Sequence, residues 1–259
     1  MDATLNEPHY VRVSRIMYSL KQSLDKLDHY YHALEPIIVN DAENVDLCIF
    51  PSIRAYCDEK SNVIHFEYIK PLERDPTCVT FLARTNSDSE FPKDIVVKFV
   101  DRYGAEPHRL LAKDCLAPEL FYYGPIGCVE GDPSYGHLRM VVMEYIDGKT
   151  VDQVKQLPSK FLDDIRRALK ILHEKNYVFG DLREPNIIIT KNHELRLIDF
   201  DWAGEAMKSQ YPALMSSNVS WPKGVEALSI MEIEHDNQML AILQGNLKER
   251  PTSDSYFLD

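Results

Sequence analysis

The sequence is short of positive charge. It holds 29 Lys and Arg residues against 41 Asp and Glu residues, which gives a formal net charge of -12 at pH 7 and a pI near 5.2. A surface that binds nucleic acid needs a basic footprint to meet the phosphates, and this composition argues against one. We therefore expect no nucleic-acid partner for this chain.

Cysteine and long apolar runs are also scarce. The five cysteines are odd in number and form no C-x-x-C pair, so a reducing compartment fits better than a disulfide framework. There is no apolar run of about twenty residues and no signal-like N-terminus, which argues against membrane spanning and secretion. The expected location is the cytoplasm, with no membrane partner. At 259 residues the chain is long enough to bury a full hydrophobic core.

Two short apolar and β-branched runs predict a hairpin in the second half of the chain. They cover residues 186–190 and 195–199, and turn-forming residues lie between them at 191–193. Pro185 keeps the residue before it out of helical geometry. The loop FGDLREP at 179–185 should therefore be extended where it enters the first strand.

The predicted hairpin brings three polar side chains to one small space. Asn186 begins the first strand, Asp199 ends the second, and Asp181 lies in the loop five residues before Asn186. A carboxylate with an amide oxygen suits Mg²⁺, which prefers hard oxygen ligands and retains waters and nucleotide phosphates. A second carboxylate nearby could orient or deprotonate an attacking hydroxyl. This spacing favours phosphoryl transfer.

In this order the residues resemble the protein-kinase-like superfamily. In that family the catalytic loop reads D-L-x-x-x-N, and the metal-binding Asp of D-F-G follows after a hairpin. The resemblance implies that Asp181 is the catalytic base and that Asn186 and Asp199 hold Mg²⁺ for ATP. Arg183 stands where protein kinases often carry Lys or Arg, near the transferring phosphoryl group. The resemblance extends over about residues 63–247.

A lysine inside an apolar strand extends the resemblance. The run IVVKFV at 95–100 predicts a buried strand, where Lys98 is unfavourable unless it meets an anion. Lys98 is similar to the kinase lysine that pairs with the α and β phosphates and with an acidic residue on the next helix. We expect that helix at Ala105–Lys113, with Glu106 as the partner of Lys98 and Glu119 as the alternative partner. The interpretation without a functional role is a lysine on an edge strand whose ammonium reaches water.

The following strand resembles the one that leads to the kinase hinge. LRMVVMEYIDG at 138–148 is apolar and ends in a turn. The resemblance implies that Met143 is the gatekeeper residue of the cleft and that the backbone from Glu144 to Ile146 contacts adenine.

Two helices are predicted beyond the hinge. The first begins near Ser159 as N-cap, and its apolar residues recur at helical spacing at Phe161, Ile165, Leu169 and Leu172. The second opens at Asp236. The resemblance implies that Asp236 steadies the catalytic loop, while a simpler interpretation is a favourable charge at a helix N-terminus.

The chain departs from the protein-kinase pattern at three places. The hairpin at 65–83 contains no glycine, HRD is replaced by FGD, and DFG by DFD. FGD and DFD lean toward the aminoglycoside, choline and RIO-like branches, while the whole pattern looks most like kinase-like proteins expanded in fungi. The expected function is an ATP- and Mg²⁺-dependent protein Ser/Thr kinase. Two alternatives stay open: a small-molecule kinase, and a non-catalytic nucleotide-binding scaffold, which the missing glycines suggest. An open groove beside Asp181 would favour a protein acceptor, and an enclosed acidic pocket a small molecule.

The predicted fold is α+β: a protein-kinase-like bilobal fold with a small β-rich N-lobe and a minimal helical C-lobe. The expected N-lobe covers residues 37–143, the hinge 144–148 and the C-lobe 149–259. Residues 1–36 are predicted as an amphipathic helix with apolar side chains four and three residues apart, at Val13, Met17, Leu20, Leu24, Leu27, Tyr31 and Leu34. Two partners for this helix stay open: its own small lobe, or a second copy in a weak homodimer.

Overall fold

The computed structural model describes residues 9–33, 50–73, 79–86, 93–127 and 136–249. The chain divides into two units, residues 1–49 and 50–259. The first unit contains helix α1, His9–Ala33, inside the range 1–36 where the sequence predicts a helix. Five of the apolar side chains in the predicted pattern are between 44% and 61% exposed: Val13, Met17, Leu20, Leu24 and Leu27. Leu34 and Pro36, the predicted end, lie outside the described residues, and pairing with a second copy stays a prediction.

None of the described helices combines the length and the apolar character that a bilayer span requires.

The second unit begins with a six-stranded antiparallel sheet. Its strands in chain order are β1 Ala55–Cys57, β2 Val63–Pro71, β3 Thr80–Thr85, β4 Asp94–Val100, β5 Leu120–Pro125 and β6 Arg139–Glu144. Their spatial order is β1-β2-β3-β4-β6-β5. Lys98 pairs in register with Thr80 on β3 and with Val141 on β6. Lys98 therefore lies on an inner strand, which overturns the strand-edge alternative.

Alternating side chains give the sheet its aromatic core. Along β2, Phe66 and Tyr68 are buried while Glu67 between them is exposed, as expected where successive side chains point to opposite faces. The rings of Phe66 and Tyr68 lie 5.3 Å apart, and Tyr68 lies 5.3 Å from Phe81 on β3. Edge-to-face contacts at this distance stabilise aromatic clusters.

Three helices and five short strands complete the unit. They are α2 Ala105–Lys113, β7 Gly148–Thr150, α3 Phe161–Glu174, β8 Tyr177–Val178, β9 Ile187–Thr190, β10 Leu195–Leu197, β11 Gly204–Glu205 and α4 Ile233–Glu249. β9 pairs with β10 on one side and with β7 on the other, and β8 pairs with β11. The predicted hairpin is thus confirmed as β9 and β10, and the predicted helix after Lys98 as α2. The extended geometry predicted at the end of the loop 179–185 was wrong, because Glu184–Asn186 forms a 3-10 helix, and proline is tolerated in a first helical turn.

Helix α3 lies in the middle of the second hydrophobic core. Its four predicted core residues, Phe161, Ile165, Leu169 and Leu172, are all buried. Ser159 as N-cap was wrong, because the helix begins at Phe161 with Lys160 at the cap position and no side-chain cap bond. A backbone turn, in which the Phe161 amide donates to the Pro158 carbonyl at 3.0 Å, begins the helix instead.

Candidate active site

A cleft of about 590 Å³ lies between the six-stranded sheet and the catalytic hairpin. Its walls come from β3, β4 and β9, from the residues after β6, and from the loop before Asp199. Six lining residues carry the sequence predictions: Lys98, Met143, Glu144, Ile146, Asn186 and Asp199. The fold therefore gathers residues that are a hundred positions apart in the sequence.

The backbone after β6 forms one wall of the cleft. The Glu144 amide donates to the Glu119 carbonyl at 2.8 Å, and the Tyr145 amide donates to Asp94 at 3.3 Å. The Glu144 side chain accepts from the Glu119 amide at 3.1 Å. Glu119 contributes its backbone to this wall, and the carboxylates that meet Lys98 are those of Asp199 and Asp201, so the alternative partner was wrong. Glu144 and Ile146 both line the cleft.

Lys98 meets two carboxylates across the cleft. Its Nζ lies 2.6 Å from Asp199 Oδ1 and 2.8 Å from Asp201 Oδ1, and its side chain is only 11% exposed. Burial alone would lower the pKa of Lys98, but Asp199 and Asp201 raise it above the ordinary lysine value. Lys98 is therefore a buried cation held in its charged form.

The predicted pairing of Lys98 with Glu106 is not what the structure has. Glu106 lies in the first turn of α2, is 66% exposed at its side chain, and pairs with Arg109 at 2.7 Å. Only eight positions separate Lys98 from Glu106, and the turn into α2 points the glutamate outward. Sequence reasoning missed the actual second partner, Asp201, although the repeated acid in DFD was the available signal.

Asp181 is buried and completely engaged. Its Oδ1 accepts from Arg183 Nε, and its Oδ2 accepts from Arg183 Nη2 at 2.6 Å and from Asn186 Nδ2 at 2.8 Å. Burial raises the pKa of Asp181 above the ordinary aspartate value, while Arg183 and Asn186 act to lower it. The Asp181 carboxylate is therefore shared between two hydrogen-bonding side chains, Arg183 and Asn186.

Asn186 and Asp199 supply the oxygen ligands that a magnesium ion requires. The Asn186 amide nitrogen donates to Asp181 twice, at the carboxylate and at the backbone carbonyl, which leaves its amide oxygen for a cation. Asp199 sits at φ +66, in the left-handed region that aspartate tolerates better than most residues. The Ile198 amide, next to Asp199, donates to the Asn186 carbonyl at 3.0 Å. This pair of hard donors fits Mg²⁺.

Asp201 Oδ1 is shielded from solvent, and the Lys98 ammonium is the donor that reaches it, at 2.8 Å. Burial and the nearby Asp199 raise the pKa of Asp201, against the effect of Lys98.

Asp236 fixes the backbone before the catalytic aspartate. It is fully buried, accepts from the Phe179 amide at 2.9 Å and the Gly180 amide at 2.8 Å, and contacts His173 Nε2 at 3.0 Å. Both sequence interpretations of Asp236 hold, because it also lies in the first turn of α4. His173 is a helix-end partner of this carboxylate.

An open groove of about 410 Å³ lies on the other side of the catalytic loop. Its apolar lining consists of Leu182, Pro185, Val219, Trp221, Pro222, Met239, Ile242 and Leu243, and its polar lining of Asp152, Arg183, Glu184, Asn218, Ser220 and Asn246. The Arg183 guanidinium lies 5.3 Å from the centre of the Trp221 ring. Pro185 lines both this groove and the cleft, so the two cavities meet at the catalytic loop.

The comparisons with known proteins find similarity to protein kinases. A family model described as protein kinase domain matches residues 134–222. The chain is similar to MAP kinase kinase MKK1/SSP32 of Saccharomyces cerevisiae, at 28% identity over 100 residues, 34% of this chain and 19% of the relative. It is similar to the serine/threonine-protein kinase greatwall of Xenopus tropicalis, at 21% identity over 207 residues, 72% of this chain and 22% of the relative. The chain thus spans about a fifth of the length of these relatives.

The solved structure of the Cydia pomonella granulovirus kinase PK-1 has the same fold. It superposes with a TM-score of 0.55 at 16% identity, over 73% of this chain and 72% of that one. The sheet, the cleft and the catalytic hairpin define a mixed α/β fold of the kinase type. The family match over residues 134–222, the kinase relatives and this structural neighbour together support the protein-kinase-like superfamily for this chain.

Proposed function

We propose that this protein is an ATP- and Mg²⁺-dependent phosphotransferase that acts on serine or threonine hydroxyls of proteins. The observation that carries the proposal is that Lys98, Asn186 and Asp199 line one cleft of nucleotide size, while Asp181 lies next to it and accepts a hydrogen bond from Asn186. Any one of these residues has an ordinary structural explanation. A buried lysine, an engaged aspartate and two oxygen donors in one place are what transfer of a phosphoryl group needs.

The residues divide the work by position. Lys98 faces the cleft as a buried cation and would hold the phosphates of ATP. Asn186 and Asp199 would hold Mg²⁺, which neutralises phosphate charge when bound. Asp181 would orient the acceptor hydroxyl and take its proton. Catalysis would come mainly from positioning and electrostatics.

The shape of the groove supports a polypeptide acceptor. It is open, mainly apolar and continuous with the catalytic loop through Pro185. A small polar alcohol would be held better by an enclosed acidic pocket, whereas an extended peptide can place one side chain in a groove of this kind. The relatives named as serine/threonine kinases point the same way.

Phosphate transfer with matched aspartate variants tests the proposal. Purified protein is incubated with labelled ATP, Mg²⁺ and a serine- and threonine-rich acceptor protein, and label transfer and ATP-dependent thermal stabilisation are recorded. We expect Asp181→Asn to lower transfer by about 100-fold or more while stabilisation by ATP persists. Asp199→Asn should lose transfer together with the Mg²⁺-dependent part of the stabilisation. Asp163→Asn is the control, because Asp163 is 77% exposed on α3.

Each alternative function has its own outcome. Label on an aminoglycoside or on choline, with none on protein, would establish the small-molecule kinase. Stabilisation by ATP without any transfer would establish the non-catalytic scaffold. Equal background in wild type and both variants, with no nucleotide-dependent shift, would contradict an enzyme altogether.

A further inference from the structure

The partner of Lys98 comes from the catalytic hairpin side of the cleft. Lys98 Nζ lies 2.8 Å from Asp201 Oδ1 as well as 2.6 Å from Asp199 Oδ1. Asp199 is also the carboxylate expected to hold the metal, so its contact with Lys98 competes with that role. Asp201 is the second carboxylate at Lys98, and Lys98 is the cation that its side chain contacts.

Helix α2 cannot provide the acid. Its acidic residue, Glu106, is mostly exposed and pairs with Arg109 on the same helix. The α2 side chain that reaches the hairpin is His108, whose ring stacks on Phe200 with centroids 4.5 Å apart and an interplanar angle of 5°. Contact between the helix and the hairpin is thus aromatic, and the helix offers no anion to Lys98.

Arg102 fixes the backbone that carries Asp201. Its guanidinium donates to three carbonyls: Asp201 at 2.9 Å, Trp202 at 2.8 Å and Gln210 at 2.5 Å. One residue earlier, the Phe200 carbonyl accepts from the Gly104 amide at 2.9 Å. A chain tied at successive carbonyls leaves the Asp201 side chain little choice of direction.

Asp201 depends on Lys98 for compensation. Its Oδ1 is shielded from solvent although the side chain as a whole is 30% exposed, and the Lys98 ammonium at 2.8 Å offsets the burial of this oxygen. A buried carboxylate that loses its cation is strongly destabilising. The pair is therefore interdependent in a way that an exposed ion pair is not.

We propose that Asp201 is the positioning residue for Lys98: held by Arg102, it keeps the ammonium at the phosphate end of the cleft in place of a helix glutamate. Its purpose in phosphate binding rests on the function proposed above, but the pairing itself does not. The final acid of DFD thereby supplies what α2 lacks.

A double-mutant cycle on the nucleotide-free protein tests the pairing. Melting temperatures are measured for wild type, Asp201→Asn, Lys98→Met and the double variant. We expect Asp201→Asn to lower the melting temperature by about 4 °C in wild type but not in the Lys98→Met background, where it removes an uncompensated charge. Asp201→Glu should recover part of the loss, and Asp101→Asn, an exposed carboxylate, should change nothing. Equal effects of Asp201→Asn in both backgrounds would overturn the pairing.

ATP binding without magnesium tests the purpose. Dissociation constants for ATP are measured in EDTA and again with Mg²⁺. We expect Asp201→Asn to weaken ATP binding about tenfold, or about 1.4 kcal/mol, in both conditions. When Asp201→Asn is added to Lys98→Met, it should cause no further loss of binding. Loss only with Mg²⁺ would make Asp201 a metal ligand, and an equal loss in Glu106→Gln would return the role to the helix; either result overturns the proposal. A wild type that binds no ATP, with the melting cycle coupled, would instead contradict the proposed function.

Discussion

The carboxylate of Asp181 is fixed in place by hydrogen bonds that also use both of its oxygens. Arg183 contacts both carboxylate oxygens, and Asn186 shares one of them. A hydroxyl that approaches Asp181 has to replace one of these contacts, and Arg183, a third exposed, is the more exposed of the two contacting side chains. Arg183 therefore covers both oxygens of Asp181 and opposes the rise in its pKa that burial causes.

Replacing Arg183 should change the pH dependence of transfer. Burial already raises the pKa of Asp181 above the ordinary aspartate value, and Arg183 opposes this rise. Without Arg183 the pKa of Asp181 rises further, so Asp181 stays protonated to a higher pH, and a protonated carboxyl cannot accept the hydroxyl proton. We expect Arg183→Ala to move the acid limb of the kcat profile to higher pH and to lower kcat by about tenfold or more.

The matched control is Arg166→Ala, which removes an exposed arginine paired with Asp163 on α3. Its pH profile should coincide with that of wild type. An unchanged acid limb in Arg183→Ala would show that Asp181 is not the group that titrates.

At the level of residues, sequence reasoning found positions more readily than partners. Lys98, Asp181, Asn186 and Asp199 were identifiable because each stands in a short motif whose local geometry follows from the strand or loop that carries it. The partner of Lys98 was not, because a buried cation accepts any nearby carboxylate. Which one it meets depends on how α2 and the hairpin face each other, and the chain separation between 98 and 201 contains no such information.

At the scale of elements, the backbone of the loop before Asp181 is held in place by helix α4. Asp236 on α4 accepts from two of its amides, which joins α4 to the loop. Gly180 within it has φ +80, and a β-carbon there would come within 2.2 Å of Met231 Cε. The conformation is therefore one that glycine adopts easily and other residues do not.

Gly180→Ala should destabilise the protein and reduce activity. The backbone strain is about 1–3 kcal/mol, and the displaced loop would also move Asp181. Gly245→Ala is the matched control, because Gly245 lies within α4 and a β-carbon there would point into open space. Alanine there should stabilise by about 0.5–1 kcal/mol. Chemical denaturation of both variants would measure the difference, and equal stability changes would contradict the strain.

Helix α2 shows how an element can be predicted while its contacts are not. Its bounds, Ala105–Lys113, followed from the pattern, but its inner face is occupied by His108. Nε2 of His108 lies 2.8 Å from the Pro118 carbonyl, and burial lowers the pKa of this histidine to about 4. A neutral, stacked imidazole is therefore what joins α2 to Phe200, and helical periodicity could not distinguish it from an exposed histidine.

For the whole molecule, the order of elements was the predictable part. Strands, hinge and catalytic hairpin occur along the chain as the resemblance implies, because each has a local signal of its own. The groove was beyond prediction, since it joins residues from the catalytic loop, the segment near Trp221 and helix α4. Those segments are brought together only by the packing of the second core.

The groove yields a prediction that separates acceptor binding from nucleotide binding. Ile242 lines it from α4 and is 38% exposed, so an aspartate at this position can be solvated while it makes the lining polar. If the groove receives an apolar side chain of a peptide acceptor, Ile242→Asp should raise the KM for such a peptide about tenfold, since burying one large apolar side chain contributes about 1.5–3 kcal/mol. The KM for ATP should not change, because Ile242 does not line the cleft. Val63→Asp, at an exposed apolar position on the six-stranded sheet, should leave both constants as they are.

Peptides that differ only in having leucine or serine beside the phosphorylated residue complete the measurement. Wild type should prefer the leucine peptide, and Ile242→Asp should lose that preference. A preference unaffected by the variant would place the acceptor elsewhere.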